Sequence, residues 1–99
     1  MTFAARTAEV PNFGKKAVSI NGKELLLINI KGQFFACDNE CPHQGTPLAG
    51  GMVKDGIITC QRHGYRFNLT TGACSDAPGL ALKVYPTEVR GDELFVDIS

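Results

Sequence analysis

Two short motifs, each pairing a cysteine with a histidine, constrain this chain more than any other feature. The first is CPHQG, with Cys41 and His43, and the second is CQRHG, with Cys60 and His63. Sixteen residues separate His43 from Cys60, so C-x-H is followed by C-x2-H. A glycine lies close behind each histidine, and glycine lets the backbone turn tightly beside a bulky inorganic centre. Two thiolates and two imidazoles in paired short loops suit iron–sulfur or zinc binding, because both accept sulfur and nitrogen ligands.

The length and charge of the chain limit its class. Its 99 residues suit one domain, so we expect a single domain over residues 1–99. Ten basic and ten acidic residues balance, which leaves no basic field for nucleic acid and no polybasic tail for a membrane. No apolar run approaches the ~20 residues that span a bilayer, and the N-terminal segment lacks the apolar core of a secretory signal. We therefore predict a cytoplasmic protein.

The four cysteines allow a different interpretation, a secreted scaffold with two disulfides. That interpretation needs an oxidising compartment, and no export signal supports one. It also leaves the matched histidines unexplained. We therefore favour ligand cysteines over a disulfide framework.

Turn signals recur along the chain, with short apolar runs between them. Asn21-Gly22 suits a two-residue primed turn between strands at 18–20 and 23–30. No longer window shows a convincing helical period. The predicted fold class is all-β, with further strands at 33–37, 57–60, 83–89 and 93–98.

Residues 38–56 and 61–79 interrupt this pattern. They hold three of the five prolines and seven of the eleven glycines. Such a density predicts an irregular segment made mostly of turns. Both Cys/His motifs fall in or beside these two stretches.

From about residue 34 to the C-terminus, the chain resembles the Rieske [2Fe–2S] proteins. The similarity lies in CPHQGTPLAGG, in GIITCQRHGYRFNLTTGAC, and in Pro78 with the closing hairpin. It implies one [2Fe–2S] cluster, with Cys41 and Cys60 on one iron and His43 and His63 on the other. It also implies an antiparallel β-sandwich or barrel base with a loop-rich cluster-binding subdomain. Pro78 resembles the proline loop that covers the cluster in this family.

A zinc-binding interaction module is the rival from another class, because two Cys and two His form a common zinc set. Zinc fingers, however, pair Cys with Cys and His with His, whereas both motifs here mix the two. Both histidines of the chain lie in the motifs, which disfavours a chance placement.

Four positions predict a low reduction potential by the same resemblance. High-potential members join the two loops by a disulfide, and Thr46 and Arg62 occupy its positions here. Those members also place a Ser and a Tyr after the second motif, where this chain has Tyr65 and Phe67. With fewer hydrogen bonds to the cluster, we expect a potential near the low end of the Rieske range, roughly −150 mV.

Four further residues carry separate expectations. Cys37 and Cys74 are expected to be small buried hydrophobes rather than ligands or a disulfide. Arg62 and Arg66 flank His63, so they are our candidates for steering charges toward a partner protein.

Small, unanchored Rieske proteins of low potential are ferredoxins of multicomponent oxygenases, such as aromatic ring-hydroxylating dioxygenases. The resemblance therefore implies a soluble, monomeric ferredoxin that carries single electrons from a flavin-containing reductase to a terminal oxygenase. A fully coordinated iron leaves no open position for substrate, so we expect no enzyme activity and no catalytic residues. The alternative within the family is the small Rieske-like subunit of assimilatory nitrite reductase.

Overall fold

The computed structural model describes residues 1–42, 45–62 and 64–98. Two short 3-10 helices, Thr7–Glu9 and Leu48–Gly50, are the helical segments of these residues. The all-β prediction is thus confirmed. The ten strands are β1 (Thr2–Arg6), β2 (Lys15–Ile20), β3 (Lys23–Ile30), β4 (Gln33–Asp38), β5 (Met52–Lys54), β6 (Ile57–Thr59), β7 (Arg66–Asn68), β8 (Val84–Tyr85), β9 (Thr87–Arg90) and β10 (Glu93–Val96).

The strands form three antiparallel sheets. One has the order β2-β3-β4-β8 and another the order β1-β10-β9; together we call them the base. The third sheet, β5-β6-β7, belongs to residues 39–82, which we call the loop subdomain. In the described part of the chain the two base sheets share a core without closing on each other. The base is therefore an open sandwich and not a barrel.

Strand β3 supplies both hydrophobic cores of the protein. Successive side chains of a strand point to opposite faces, so the run LLLI divides between two sides. Leu25 and Leu27 join the core between the base sheets, whereas Leu26 and Ile28 join the core beneath the loop subdomain. All four are at most 1% exposed. An uninterrupted apolar run is thus typical of a strand that is covered on both faces.

Asn29 is the buried polar residue of this strand, at 8% exposed. Its side-chain Nδ2 donates to the carbonyl oxygen of Val10 at 2.8 Å, and its Oδ1 accepts the Gly32 N–H at 2.8 Å. Both backbone groups need a partner because neither pairs within a sheet ladder there. Asn29 therefore fastens the entry to β2 and the β3–β4 turn to the end of β3.

The predicted Asn21-Gly22 hairpin is confirmed, although its first strand begins earlier, at Lys15. Both turn residues have positive φ, 51° and 80°, as a primed turn requires. The predicted strands at 33–37 and 57–60 are likewise found, as β4 and β6.

The predicted single strand at 83–89 is wrong in one respect. Pro86 divides it into β8, which pairs with β4, and β9, which pairs with β10. Proline has no N–H for a ladder, so the chain leaves one sheet and enters the other at this residue. The final hairpin itself is confirmed, since β9 and β10 pair across residues 90–93.

The stretches 38–56 and 61–79 consist mostly of turns and loops in the described residues, as their composition predicts, but short strands also occur in them. They contain β5 and β7, which pair with β6 on its two sides. Three-residue strands are too short for an alternating pattern to be visible among so many glycines. The sequence also gave no signal for β1, which pairs with β10 across a register shift between Phe3 and Ala5.

We predict that Asn29→Ala lowers the free energy of unfolding by about 1–3 kcal/mol, because it leaves the carbonyl of the buried Val10 without its partner. Chemical denaturation would measure the loss. Asn12→Ala is the matched control: Asn12 is exposed and accepts the Lys31 N–H of the same turn. Equal losses in the two variants would contradict the role assigned to burial.

Candidate metal centre

The two candidate cysteines lie together in the core of the loop subdomain. Cys41 and Cys60 are each 2% exposed and belong to the same buried group of side chains. Cys41 lies in the loop after β4, and Cys60 directly follows β6. The other two candidates, His43 and His63, lie outside the described residues.

Both cysteines sit in loops with the same hydrogen-bond frame. The Cys41 N–H donates to the Thr46 carbonyl at 2.9 Å, and the Gly45 N–H donates to the Cys41 carbonyl at 2.7 Å. In the second loop, the Cys60 N–H donates to the carbonyl of Tyr65 at 2.8 Å. The Gly64 N–H donates to the Cys60 carbonyl at 2.9 Å. In each loop the partners are therefore the fifth and fourth residues after the cysteine.

The frame explains the two motif glycines. Gly45 and Gly64 both have φ of 74°, a left-handed conformation that favours glycine. Counted from the histidines, the glycines stand at different distances, but counted from the cysteines they stand at the same one. This shared spacing was readable in the sequence and shows that the loops are built from their cysteines.

The residues before the first loop tie it to the base. The Tyr85 hydroxyl donates to Asp38 Oδ1 at 2.6 Å, which joins β8 to the last residue of β4. Burial, followed by this bond to the Asp38 carboxylate, raises the pKa of Tyr85 to about 12. The phenol therefore stays protonated and keeps donating through the neutral range.

Asn39 then closes the first loop on itself. Its carbonyl accepts the Leu48 N–H at 2.8 Å, and its Oδ1 accepts the Ala49 N–H at 3.0 Å. Glu40 and Pro47 also face each other in an isolated antiparallel bridge. The second loop joins the paired strands β6 and β7, so the hydrogen bonds between these strands hold its ends together.

Two glycines let the loops approach each other. A Cβ on Gly51 would lie 2.3 Å from the Thr59 carbonyl oxygen, and one on Gly50 would lie 2.5 Å from Gln61 Nε2. Distances below 3.0 Å are not sterically possible without movement. The Gly50-Gly51 pair at the end of CPHQGTPLAGG therefore packs directly against the residues around Cys60.

The described donors fit a metal centre that takes sulfur ligands. Both cysteines belong to one water-poor core, together with side chains such as Leu48, Ile58 and Phe67 that are 0% exposed. Thiolates suit iron–sulfur clusters and zinc alike. The geometry of the cysteines alone thus leaves both metals open.

Cys37 and Cys74 are buried free thiols, as expected, and no disulfide joins them. Burial, with a smaller contribution from Asp38, raises the pKa of Cys37 to about 12. A thiol with that pKa stays neutral at physiological pH and is inert. Both residues pack in the same core as the ligand candidates without sharing their loop frame.

The other residues that the sequence analysis singled out differ in burial and in their partners. Phe67 is fully buried in the core, and Tyr65 is half-buried against it. Arg62 is exposed and makes no ion pair within the described residues. Arg66 instead pairs with Asp76, Nη2 to Oδ1 at 2.8 Å. The hydrogen bond from Arg66 holds the pKa of Asp76 below its usual range, so the carboxylate stays ionised at neutral pH.

Comparison with known proteins decides between the metals. The family model described as the Rieske [2Fe-2S] domain matches residues 1–86. The chain is 33% identical to the ferredoxin component of a naphthalene 1,2-dioxygenase system from Pseudomonas aeruginosa, over 92% of this chain and 88% of the relative. It is 34% identical to the biphenyl dioxygenase ferredoxin subunit of Pseudomonas sp. (strain KKS102), over 100% of this chain and 94% of the relative.

The chain therefore belongs to the Rieske [2Fe–2S] domain family, and this membership implies a Rieske-type [2Fe–2S] cluster as its cofactor. The relatives are electron-transfer components of oxygenase systems and not the catalytic enzymes of those systems. The family predicted from the motifs is confirmed, and the family's cluster replaces zinc as the interpretation of the Cys/His set.

Solved structures agree with this assignment. A chain from a complex of reduced oxygenase and oxidized ferredoxin in carbazole 1,9a-dioxygenase has a TM-score of 0.85 and 26% identity, over 95% of this chain and 89% of that chain. A protein named as a nitrite reductase small subunit has a TM-score of 0.89 over 96% of this chain and 95% of that chain. Its identity is only 18%, so it shares the fold alone.

No helix among the described residues is long and apolar enough to cross a membrane.

We predict that Gly51→Ala destabilises the protein more than Gly91→Ala does. The first variant forces a Cβ against the Thr59 carbonyl. In the second variant the added Cβ meets no atom, and only the left-handed backbone conformation destabilises it, by about 1–2 kcal/mol. Chemical denaturation and the iron content of the purified variants would measure the difference. A Gly51→Ala variant as stable as Gly91→Ala, with full iron content, would contradict the close approach of the loops.

Proposed function

We propose that Cys41, His43, Cys60 and His63 bind one Rieske-type [2Fe–2S] cluster, with the cysteines on one iron and the histidines on the other. The observation that carries the proposal is the pair of matched loop frames, each built around a buried cysteine. Each loop also contains one histidine of the chain, at the second or third residue after its cysteine. In this proposal residues 1–99 form one domain.

The protein then acts as a ferredoxin that carries single electrons from a flavin-containing reductase to the terminal oxygenase of a dioxygenase system. Support comes from relatives at 33% and 34% identity, both ferredoxin components of aromatic dioxygenases and both covered over most of their length. A structural neighbour found in complex with an oxygenase supports that class of partner.

A cluster of this type supplies one-electron redox chemistry when bound. The chain contributes the thiolates, the loops that hold them, and a core that excludes water from their buried side. Leu48 comes from the first loop, Ile58 from β6 and Phe67 from β7, so each segment around the loops supplies part of that cover. Electrons then enter and leave the cluster on the side that this core does not cover, where the two loops lie.

The low potential is part of this proposal. Phe67 is fully buried. By the resemblance it takes the place of a Tyr whose hydroxyl donates to sulfur in high-potential members. Without that donor the reduced, more negative cluster is less stabilised. A potential near the low end of the Rieske range, roughly −150 mV, follows.

A cytoplasmic location and a monomeric state also belong to the proposal. Cys37 and Cys74 are free thiols and not a disulfide, which suits a reducing compartment. The nitrite reductase subunit remains a weaker alternative, because its supporting neighbour shares the fold at low identity.

We predict that His43→Ala and His63→Ala each lose or destabilise the cluster, because one iron then lacks an imidazole. Iron and sulfide content, with the electron paramagnetic resonance spectrum of the reduced protein, would measure the loss. Cys37→Ser is the control, since this buried thiol lies outside both loop frames, and it should keep full cluster content. A native-like spectrum in either histidine variant would remove that residue from the ligand set.

The steering role expected of two arginines now favours Arg62, because the Arg66 charge is paired with Asp76. We predict that Arg62→Gln slows electron transfer with the partner proteins at low salt and weakens the salt dependence of the rate. Stopped-flow kinetics over a range of ionic strength would measure both effects.

Lys31→Gln removes the same charge from the β3–β4 turn, at the end of the hairpin away from the first loop. It should leave the rates unchanged. Equal behaviour of the Arg62 and Lys31 variants would exclude local steering by Arg62.

A further inference from the structure

The outer edge of β7 is completed by residues that follow it in the chain. Phe67 faces Cys74 in an isolated antiparallel bridge. On either side of this pair, the Asn68 N–H donates to the Ala73 carbonyl and the Ser75 N–H donates to the Arg66 carbonyl, both at 2.9 Å. Residues 73–75 thus act as a short additional strand along β7.

The backbone pairing between β7 and residues 73–75 ends at Arg66, and the next hydrogen bond along this edge is made by a side chain. The N–H and the C=O of a strand residue point to the same edge, so the Arg66 N–H also needs an acceptor there. Asp76 Oδ2 accepts it at 2.9 Å, in the place of a backbone carbonyl. The same carboxylate accepts Arg66 Nε at 3.2 Å and Nη2 at 2.8 Å. One carboxylate therefore receives three N–H groups from one residue.

This arrangement differs from the other ion pairs of the described residues. Arg6 and Asp92 meet through a single contact of 2.7 Å, with side chains 60% and 71% exposed. Such exposed pairs contribute little to stability. The side chains of Arg66 and Asp76 are 56% and 28% exposed, so this pair is distinguished less by burial than by its bonds. They combine a two-point guanidinium pair with a backbone donor. Charge-assisted, two-point pairing gives both strength and fixed geometry.

The contact joins the second loop to the turn that carries Pro78. On one side, Arg66 follows Tyr65, whose carbonyl accepts the Cys60 N–H. On the other side, Asp76 precedes Ala77, which packs against the core that contains Cys60. The Leu80 N–H donates to the Ala77 carbonyl at 3.1 Å and closes the turn.

We propose that Asp76 is a positioning residue of the electron-transfer site. Its carboxylate fixes the Ala77–Leu80 turn to the strand that leaves the second loop, and this attachment shields the cluster from water. The inference rests on the proposed function. It assigns the charge of Arg66, which is paired with Asp76, to this attachment rather than to the docking surface.

Four variants of the cluster-loaded protein test the proposal. Asp76→Ala removes every bond, Asp76→Asn keeps a neutral acceptor for the Arg66 N–H, and Arg66→Gln keeps the backbone bond but loses the ion pair. Asp92→Ala is the control, because it breaks an ion pair in the base. The measurements are amide hydrogen exchange at Arg66, the rate of cluster loss to an iron chelator, and the reduction potential.

We expect Asp76→Ala to speed exchange at the Arg66 amide and cluster loss severalfold. Its potential should become more positive, because water stabilises the more negative reduced form. Asp76→Asn and Arg66→Gln should fall between Asp76→Ala and the natural protein, so they serve if Asp76→Ala fails to fold. Asp92→Ala should change none of the three quantities.

Cluster loss and potential at natural values in Asp76→Ala, or in both milder variants, would overturn the proposal, as would equal effects from Asp92→Ala. If instead the natural protein binds no [2Fe–2S] cluster, the proposed function fails. Exchange at Arg66 in the same variants would then still decide whether the attachment exists.

Discussion

The burial of strand β3 on both faces is the constraint on which the rest of the structure depends. Leu25 and Leu27 hold the two base sheets together, while Leu26 and Ile28 form the floor of the loop subdomain. Because side chains alternate along a strand, a shift of one residue would exchange the two cores. The same strand therefore stabilises the base and sets the position of the segment that carries the cysteines.

The composition of the loop subdomain leaves many backbone groups without partners in regular secondary structure. A segment so rich in glycine and proline has few regular hydrogen bonds of its own, and its backbone groups still need partners. The three-stranded sheet satisfies some of them, and side chains satisfy others, as Asn39 does for the first loop and Asp76 for the edge of β7. Rigid loops are valuable here, because fixed ligands limit the rearrangement that accompanies a change of redox state.

Much of this organisation could be predicted from the sequence. The hairpin around Asn21-Gly22 is encoded locally, by two residues that tolerate positive φ. The motifs also led to the family and its cofactor, because CPHQGTPLAGG and GIITCQRHGYRFNLTTGAC resemble the motifs of Rieske proteins. By contrast, the exit of the chain from one sheet into another at Pro86, and the pairing of β1 with β10, depend on residues distant in sequence.

The role of Arg66 shows a similar limit. Its position next to the second motif indicated a surface charge, and only the fold brings Asp76, ten residues later, against it. The burial of Phe67 likewise needed the sheet register, since an aromatic residue in a loop-rich segment could face either side. Sequence patterns thus indicated the ligand types of the site. Tertiary contacts determine which of the neighbouring charges are paired within the protein and which can interact with a partner.

The central claim is that both histidines of the chain ligate the cluster. Pulsed electron paramagnetic resonance on the reduced protein, labelled with ¹⁵N only at histidine, tests it most directly, because the chain contains just two histidines. The account predicts strong hyperfine coupling to two ¹⁵N nuclei, one from each of the two histidines. A reduced cluster with no coupled histidine nitrogen, or with only one, would contradict it.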